Sequence, residues 1–182
     1  VLVHLYEQHS TEFMNMLNGQ FAFAIWDHNK KELLLARDRV GIRPMFYYVQ
    51  GKEITFASEV KSVFMNNDIP RKLDLETLSD IFTCWSPLGA NSIFEGIKQL
   101  PPGHFAQFKA DRLTIKRYWS IDFDESSIKK SSLNELQEEL YSLLTDAVGI
   151  RLRADVPVGA YLSGGLDSTL ITSIVKKSFN ND

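Results

Sequence analysis

The sequence predicts a mixed fold in two parts, an α+β part followed by the beginning of an α/β part. In the first part, short apolar segments alternate with tight turns between Phe21 and Ala57, which is typical of antiparallel strands. In the second part, an apolar run at 158–162 passes through two glycines directly into a helical pattern. That order is typical of the strand–turn–helix units of parallel sheets. We therefore expect two separate domains.

The composition is that of a globular protein, and it argues against two kinds of partner. The 182 residues are 44% hydrophobic and 12% aromatic, which is enough to bury a core. The net charge of −3 comes from 20 basic and 23 acidic residues without a basic block, so we expect no nucleic acid and no membrane as partners. Cys84 is the only cysteine, which excludes an internal disulfide. Because no signal peptide or long apolar run is present, the predicted location is the cytoplasm.

The first part begins with a helical pattern and continues as strands. Apolar residues recur at helical spacing between Val1 and Phe13, and we expect this helix to lack its start. The run Phe21–Trp26 is apolar throughout, which predicts a strand covered on both faces. The remaining predictions are strands at 33–37, 45–49 and 54–57, a short helix at 59–64, and a hairpin of strands at 105–108 and 113–119.

A longer helix is predicted after Asp74. The aspartate is a good N-cap, and the apolar residues that follow form a single stripe. The members of this stripe are Leu75, Leu78, Ile81 and Phe82. Cys84 closes the pattern, so we expect its thiol to be a small buried apolar group without chemistry of its own.

The second part follows a charged, serine-rich segment at 122–132, where we predict a linker. Ser132 and Glu135 have the spacing of a capping box, and a helical stripe of leucines follows them. The run at 158–162 is predicted to be a buried strand. The helix after it is expected to press four apolar residues onto the sheet, namely Leu166, Leu170, Ile171 and Ile174.

The turn between this strand and this helix has the character of an anion site. It reads Ser163-Gly164-Gly165-Leu166-Asp167-Ser168. Adjacent glycines let backbone amides approach an anion, and the helix that follows directs its N–H groups and positive dipole end to the same point. The turn is neither a Walker loop nor a GxGxxG turn. It resembles the pyrophosphate loop of the ATP-pyrophosphatases, while an ordinary glycine turn remains the alternative.

Several further motifs occur in a fixed order along almost the whole chain. They are Leu17–Ile25, Arg37–Pro44, Phe56–Glu59, Leu100–His104, Asp155–Gly159 and Leu162–Ser168. In this order the chain resembles the middle of the glutamine-hydrolysing asparagine synthetase family. The resemblance implies that residues 1–121 are the C-terminal part of a class II glutamine amidotransferase domain of the N-terminal-nucleophile (αββα) fold. It also implies that residues 133–182 are the start of the ATP-pyrophosphatase synthetase domain, joined by the linker at 122–132.

The resemblance also implies an activity for the intact parent. Ammonia released from glutamine would meet a β-aspartyl-adenylate made from aspartate and ATP, giving asparagine, AMP and pyrophosphate. The substrates are small molecules, the cofactors are ATP and Mg²⁺, and a homodimer is left open. By resemblance the nucleotide site comprises Leu162, Ser163, Gly164, Gly165, Leu166, Asp167 and Ser168, with Asp167 as a candidate Mg²⁺ ligand.

One departure from the family pattern limits this interpretation. The family's nucleophile is a cysteine at the mature N-terminus, whereas this chain begins with Val1, and Cys84 does not occupy that place. We therefore interpret the chain as a fragment that is inactive alone. Alternatives are a related amide-forming enzyme, such as a beta-lactam synthetase or a natural-product amidotransferase, and a non-catalytic module that keeps the fold.

Overall fold

The computed structural model of the chain describes residues 1–123 and 131–179. Contacts between Cα atoms divide the chain into two compact units, Val1–Asp122 and Phe123–Asp182. Most of the predicted linker, at 124–130, lies outside the described residues, so the linker stays a prediction. Among the described residues, no helix has both the length and the apolar character needed to cross a membrane.

The first unit contains three α-helices, a 3-10 helix and seven strands in its described residues. The helices are α1 (Leu2–His9), the 3-10 helix (Ser10–Met16), α2 (Val60–Val63) and α3 (Leu75–Cys84). The strands are β1 (Ala22–Asp27), β2 (Glu32–Arg37), β3 (Phe46–Gln50), β4 (Glu53–Ala57), β5 (Lys98–Gln99), β6 (His104–Lys109) and β7 (Arg112–Arg117). Each predicted strand and the helices at 59–64 and after Asp74 are present within two residues of their expected bounds, whereas the first helix, expected up to Phe13, ends at His9 and continues as the 3-10 helix.

The strands form two antiparallel sheets, as the tight turns predict. One sheet has the order β1-β2-β6-β7, and the other has the order β4-β3-β5. In the first sheet, Leu35 of β2 stands opposite Ala24 of β1 on one side and Ala106 of β6 on the other. The turn between β6 and β7 has Ala110 and Asp111 at φ angles of 47° and 63°. Two positive φ angles in a two-residue hairpin loop are the mark of a type I′ turn.

Three apolar clusters stack these elements in layers. On one face of the first sheet, Leu34 and Phe105 pack with Phe13 of the 3-10 helix. On the other face, Leu35 packs with Tyr47 of the second sheet. The far side of the second sheet meets α2 in a third cluster, whose buried members are Val63, Phe64, Ile69 and Ile97. The order helix, sheet, sheet, helix agrees with the αββα arrangement that the resemblance implies.

The loop after β2 is fixed by two buried charged side chains. Arg37 donates to the carbonyls of Arg43 (2.9 Å), Leu100 (2.7 Å) and Gly41 (2.7 Å). The carboxylate of Asp38 accepts the amides of Ile42 and Arg43, each over 2.9 Å, and that of Phe21 over 3.3 Å. The loop is therefore held in one conformation by side chains that precede it.

Two expectations about burial in the first unit are wrong. Strand β1 is not covered on both faces, because Ala24 and Trp26, which lie on the same face, are exposed, Trp26 by 56%. Helix α3 begins as predicted, with Asp74 accepting from the amides of Glu76 and Thr77, but Leu75 and Phe82 of its apolar stripe are exposed. Cys84 is exposed rather than buried, since no described element covers the end of this helix.

The second unit contains two helices in its described residues, α4 (Leu133–Arg151) and α5 (Leu166–Ser178). The predicted capping box is present, because Ser132 accepts from Glu135 N and the Glu135 side chain accepts from Ser132 N. Helix α5 packs against α4, where Val148 and Ile174 are buried. Of the four α5 residues predicted to press onto a sheet, only Ile174 is buried, whereas Leu166, Leu170 and Ile171 are exposed.

The predicted strand at 158–162 is not formed. The segment is irregular, and Tyr161 is 99% exposed. A strand needs a neighbour to pair its backbone groups, and none of the described residues supplies one here. The prediction of a parallel-sheet unit is therefore not confirmed within residues 131–179.

Candidate functional site

The candidate site is the loop Ser163–Ser168 and the first turn of α5. Gly164 adopts a φ of +85°, in the left-handed region that other residues rarely enter. A Cβ atom there would meet nothing within 4 Å, so the backbone angle and not lack of space requires glycine. Gly165 then returns to a φ of −75° as the N-cap of α5. The two glycines thus reverse the chain directly in front of a helix.

Three side-chain hydroxyls converge on this turn. Ser163 Oγ lies 2.9 Å from Ser168 Oγ. Ser168 Oγ and Thr169 Oγ1 both donate to the carbonyl oxygen of Gly165, over 3.1 Å and 2.8 Å. The structure therefore brings Ser163, Gly165 and Ser168 into one hydrogen-bonded arrangement, and their predicted role in binding pyrophosphate stays a prediction. Thr169 joins them, although the sequence interpretation ended at Ser168.

The loop has the properties of an anion site. The N-cap residue Gly165 has no side chain to accept from the amides of the first turn, and no side-chain cap bond is formed there. The first amides of α5 and the positive end of its dipole consequently face the loop. Residues 163–167 are exposed, so an anion can reach these groups from solvent. A phosphate is the kind of anion that such a helix terminus binds.

Asp167 lies in the first turn of α5 and is exposed. Its charge is favourably placed for the helix dipole, which is a structural role in itself. The described residues contain no group of three or more acidic, histidine or cysteine side chains that could hold a metal ion. A single carboxylate still fits Mg²⁺ carried by a nucleotide, because this ion keeps most of its waters and binds one or two carboxylates together with phosphate oxygens.

Two predicted nucleotide contacts are not brought into this arrangement. Leu162 and Leu166 are both largely exposed, and neither joins the cluster of hydroxyls.

Below the loop lies a cleft of about 580 Å³, with Asp167 and Ser168 among its lining residues. Its walls are mostly apolar side chains of α4 and α5, including Leu144, Val148, Ile171 and Val175.

Cys84 and the histidines offer no catalytic pair among the described residues. The Cys84 thiol is exposed at the end of α3. His104 Nδ1 lies 2.7 Å from the carbonyl oxygen of Pro102, and His28 Nε2 lies 3.3 Å from Lys31 Nζ at the surface. These contacts agree with structural and solvated roles.

Comparison with protein families adds a second line of evidence. Residues 1–119 match the model of the glutamine amidotransferase domain. The chain belongs to this amidotransferase family. The second unit of this amidotransferase-family chain matches a different model, that of asparagine synthase, over residues 139–181, a range that contains the loop and α5.

Individual relatives of this amidotransferase chain are named asparagine synthetases or amidases. It is 40% identical to asparagine synthetase [glutamine-hydrolyzing] 3 of Bacillus subtilis over 100% of its own length and 29% of that protein. It is 34% identical to a putative asparagine synthetase [glutamine-hydrolyzing] 2 of Methanocaldococcus jannaschii, over 97% of its length and 35% of that protein. Amidase chry2 of Gibberella zeae is also 34% identical, over 96% of this chain and 26% of the amidase. The chain thus spans between a quarter and about a third of the length of these relatives.

Proposed function

We propose that the whole protein forms asparagine from aspartate, ATP and ammonia derived from glutamine. A carboxylate is a poor acyl donor, because its oxygen is a poor leaving group. ATP, when bound, supplies AMP as a leaving group through an adenylate, and pyrophosphate is released. In this proposal the described chain contributes the pyrophosphate-binding loop and part of the glutaminase scaffold.

The observation that carries this proposal is the loop in front of α5. The amides of the first turn of α5 and the hydroxyls of Ser163 and Ser168 lie together at a helix N-terminus. This segment falls within the residues that match the asparagine synthase model. The names of several relatives support the same activity. The amidotransferase match over residues 1–119 supports glutamine as the source of nitrogen.

Each residue of the loop has a separate task in this proposal. The amides of the first turn of α5 bind the pyrophosphate oxygens, and the Ser163 and Ser168 hydroxyls orient them. Gly164 provides the reversal that brings these groups to one side. The Asp167 carboxylate would hold Mg²⁺ against the phosphates, where the ion neutralises charge that develops on the leaving group.

The substitution Asp167→Asn tests this assignment in the full-length protein. We expect aspartate-dependent pyrophosphate release to fall by about a hundredfold or more, because the charge is lost while the shape is kept. Glutamine hydrolysis, which the other domain would perform, should continue. Both rates are measured side by side in wild type and variant.

The matched control is Asp146→Asn, which removes an exposed charge from α4 outside the loop. It should leave both rates unchanged. If Asp167→Asn released pyrophosphate like wild type, Asp167 would be only a helix-terminal residue. ADP and phosphate as products would contradict the whole proposal.

A second candidate function follows from the similarity to the fungal amidase. That protein matches 96% of this chain at 34% identity, so a different ATP-dependent amide-forming reaction fits the same loop and scaffold. The two candidates differ in the acceptor carboxylate. Measuring pyrophosphate release with aspartate and with a panel of other carboxylic acids separates them, since asparagine synthesis requires a clear preference for aspartate.

A further inference from the structure

The hydroxyls of the loop are already bonded to the loop itself. Ser168 Oγ donates to Gly165 O and lies 2.9 Å from Ser163 Oγ. A serine hydroxyl carries only one proton, so Ser163 must be the donor in the contact between the two serines. The amide of Gly165 in turn donates to Ser163 Oγ over 3.4 Å. These three bonds form a closed ring in which both serine protons are used.

A phosphate can accept from these hydroxyls only after the ring opens. Phosphate oxygens are acceptors, so each serine must turn its proton away from the loop and toward the ligand. When Ser168 turns, the carbonyl oxygen of Gly165 loses a donor. A carbonyl oxygen has two lone pairs, and leaving one of them without a donor costs free energy, so the other donors to Gly165 O determine how readily Ser168 turns.

Thr169 supplies these other partners. Its Oγ1 donates to Gly165 O over 2.8 Å, and its amide donates to the same oxygen over 3.1 Å. After Ser168 has turned, the carbonyl therefore still has a donor for each of its two lone pairs, whereas without the Thr169 hydroxyl only the amide would remain. We propose that Thr169 is a positioning residue that frees the Ser168 hydroxyl for the phosphates of ATP, an inference that rests on the proposed function. Thr169 does not itself contact the ligand, because its proton stays on Gly165 O.

The chain contains a matched control for this bond. Thr145 Oγ1 of α4 donates to Tyr141 O over 2.8 Å, again to the carbonyl four residues earlier. Tyr141 lies inside a helix and not at its N-cap. Substituting Thr145 by valine therefore removes the same kind of bond and introduces the same branched side chain without touching the loop.

The first experiment measures equilibrium binding of MgATP to the full-length protein by calorimetry. We expect Thr169→Val to bind MgATP about five- to tenfold more weakly, which corresponds to the free energy of one hydrogen bond. Thr169→Ser keeps the hydroxyl and should bind like wild type, and so should Thr145→Val. Wild-type affinity in Thr169→Val, or an equal loss in Thr169→Ser, would overturn the inference.

A double-mutant cycle tests whether Thr169 acts through Ser168. Ser168→Ala should weaken binding, and adding Thr169→Val to it should cause no further loss, because no hydroxyl remains to be freed. Additive losses, or a Ser168→Ala variant that binds like wild type, would contradict the inference.

The same proteins separate the inference from the proposed function. If wild type bound MgATP with the expected dependence on Thr169 but released no pyrophosphate with aspartate, the proposed reaction would fail and the role of Thr169 would stand. If aspartate-dependent release occurred but Thr169→Val had no effect on binding, the role of Thr169 would fail and the proposed reaction would stand. A wild-type protein that does not bind MgATP would refute both.

Discussion

At the scale of single residues, Asp38 has the most demanding environment of the first unit. The residue is 1% exposed, and its carboxylate accepts three backbone amides, from Phe21, Ile42 and Arg43. Burial alone would raise the pKa of Asp38, but the hydrogen bonds from backbone amides outweigh it, so that the pKa lies below its usual value of 3.8. The folded state therefore favours the ionised carboxylate.

This shift predicts how stability depends on pH. Because the pKa of Asp38 is lowered by folding, its contribution is fully present above 3.8 and is lost as the pH falls through the depressed folded value. Asp38→Asn should cost about 1.5–3 kcal/mol at pH 7, since its NH2 group would face backbone donors, and should flatten the loss of stability in acid. Urea unfolding at neutral and acid pH measures both effects.

The control for this prediction is Asp68→Asn, which changes an exposed carboxylate of the same unit. It should alter the free energy of unfolding by less than about 0.5 kcal/mol. An Asp38→Asn protein with the same stability and the same acid profile as this control would show that the buried carboxylate has no such role.

Single residues also show where sequence reasoning succeeds. Asp74 and Ser132 are correctly predicted as N-caps, because capping depends on amides only two or three residues away. The burial of Trp26 and Cys84 is wrongly predicted, because it depends on whether a distant element covers them. The role of Thr169 is missed, although a threonine in the first turn after a glycine N-cap is a signal that its hydroxyl reaches the N-cap carbonyl.

At the scale of elements, α3 relies on its cap. Most of its side chains are exposed and Thr77 is its one buried residue, so few side chains besides Thr77 support the helix by packing. Asp74→Ala removes the acceptor for the amides of Glu76 and Thr77 and should destabilise the helix by about 1 kcal/mol. Hydrogen exchange of these two amides should then be about fivefold faster.

Asp74→Asn serves as the comparison, because asparagine is an equally good N-cap without the charge. Exchange at wild-type rates in this variant, together with faster exchange in Asp74→Ala, would assign the effect to the cap. If both variants exchanged faster to the same extent, the charge of Asp74 would be the cause instead.

Strands follow from sequence more readily than sheets do. The alternation of apolar residues and the turn residues predict each hairpin, because both signals are local. The pairing of β2 with β6 joins residues more than sixty positions apart, such as Leu34 and Gln107, and no local pattern specifies it. The segment at 158–162 has the composition of a strand but has no neighbour among the described residues, so composition alone was insufficient.

At the scale of the whole molecule, the second unit exposes an apolar stripe. Four leucines at positions 133, 136, 140 and 143 follow one face of α4, and all are more than two-fifths exposed. Exposed patches of this kind favour association. We expect the chain to self-associate at micromolar concentration. The double variant Leu140→Gln/Leu143→Gln should reduce this self-association and leave the helix intact, because glutamine is a good helix former.

Sedimentation velocity measures the self-association of the wild type and the double variant, and circular dichroism measures whether the double variant keeps its helix content. Glu138→Gln is the control, since it changes an exposed polar residue of the same helix and should associate like wild type. A wild-type chain that stays monomeric, or a double variant that associates as strongly as the control, would show that the stripe does not drive association.

The turn between β6 and β7 has a consequence for how this protein tolerates change. Ala110 and Asp111 both occupy the left-handed region, a backbone conformation that asparagine and glycine adopt readily and that is strained for alanine. Replacing Ala110 by asparagine or glycine should therefore raise the free energy of unfolding by on the order of 1 kcal/mol, at a place where no chemistry is proposed. A stabilising substitution at this turn can therefore offset a destabilising substitution elsewhere in the first unit. It should not lower activity, because the turn is not part of the proposed site.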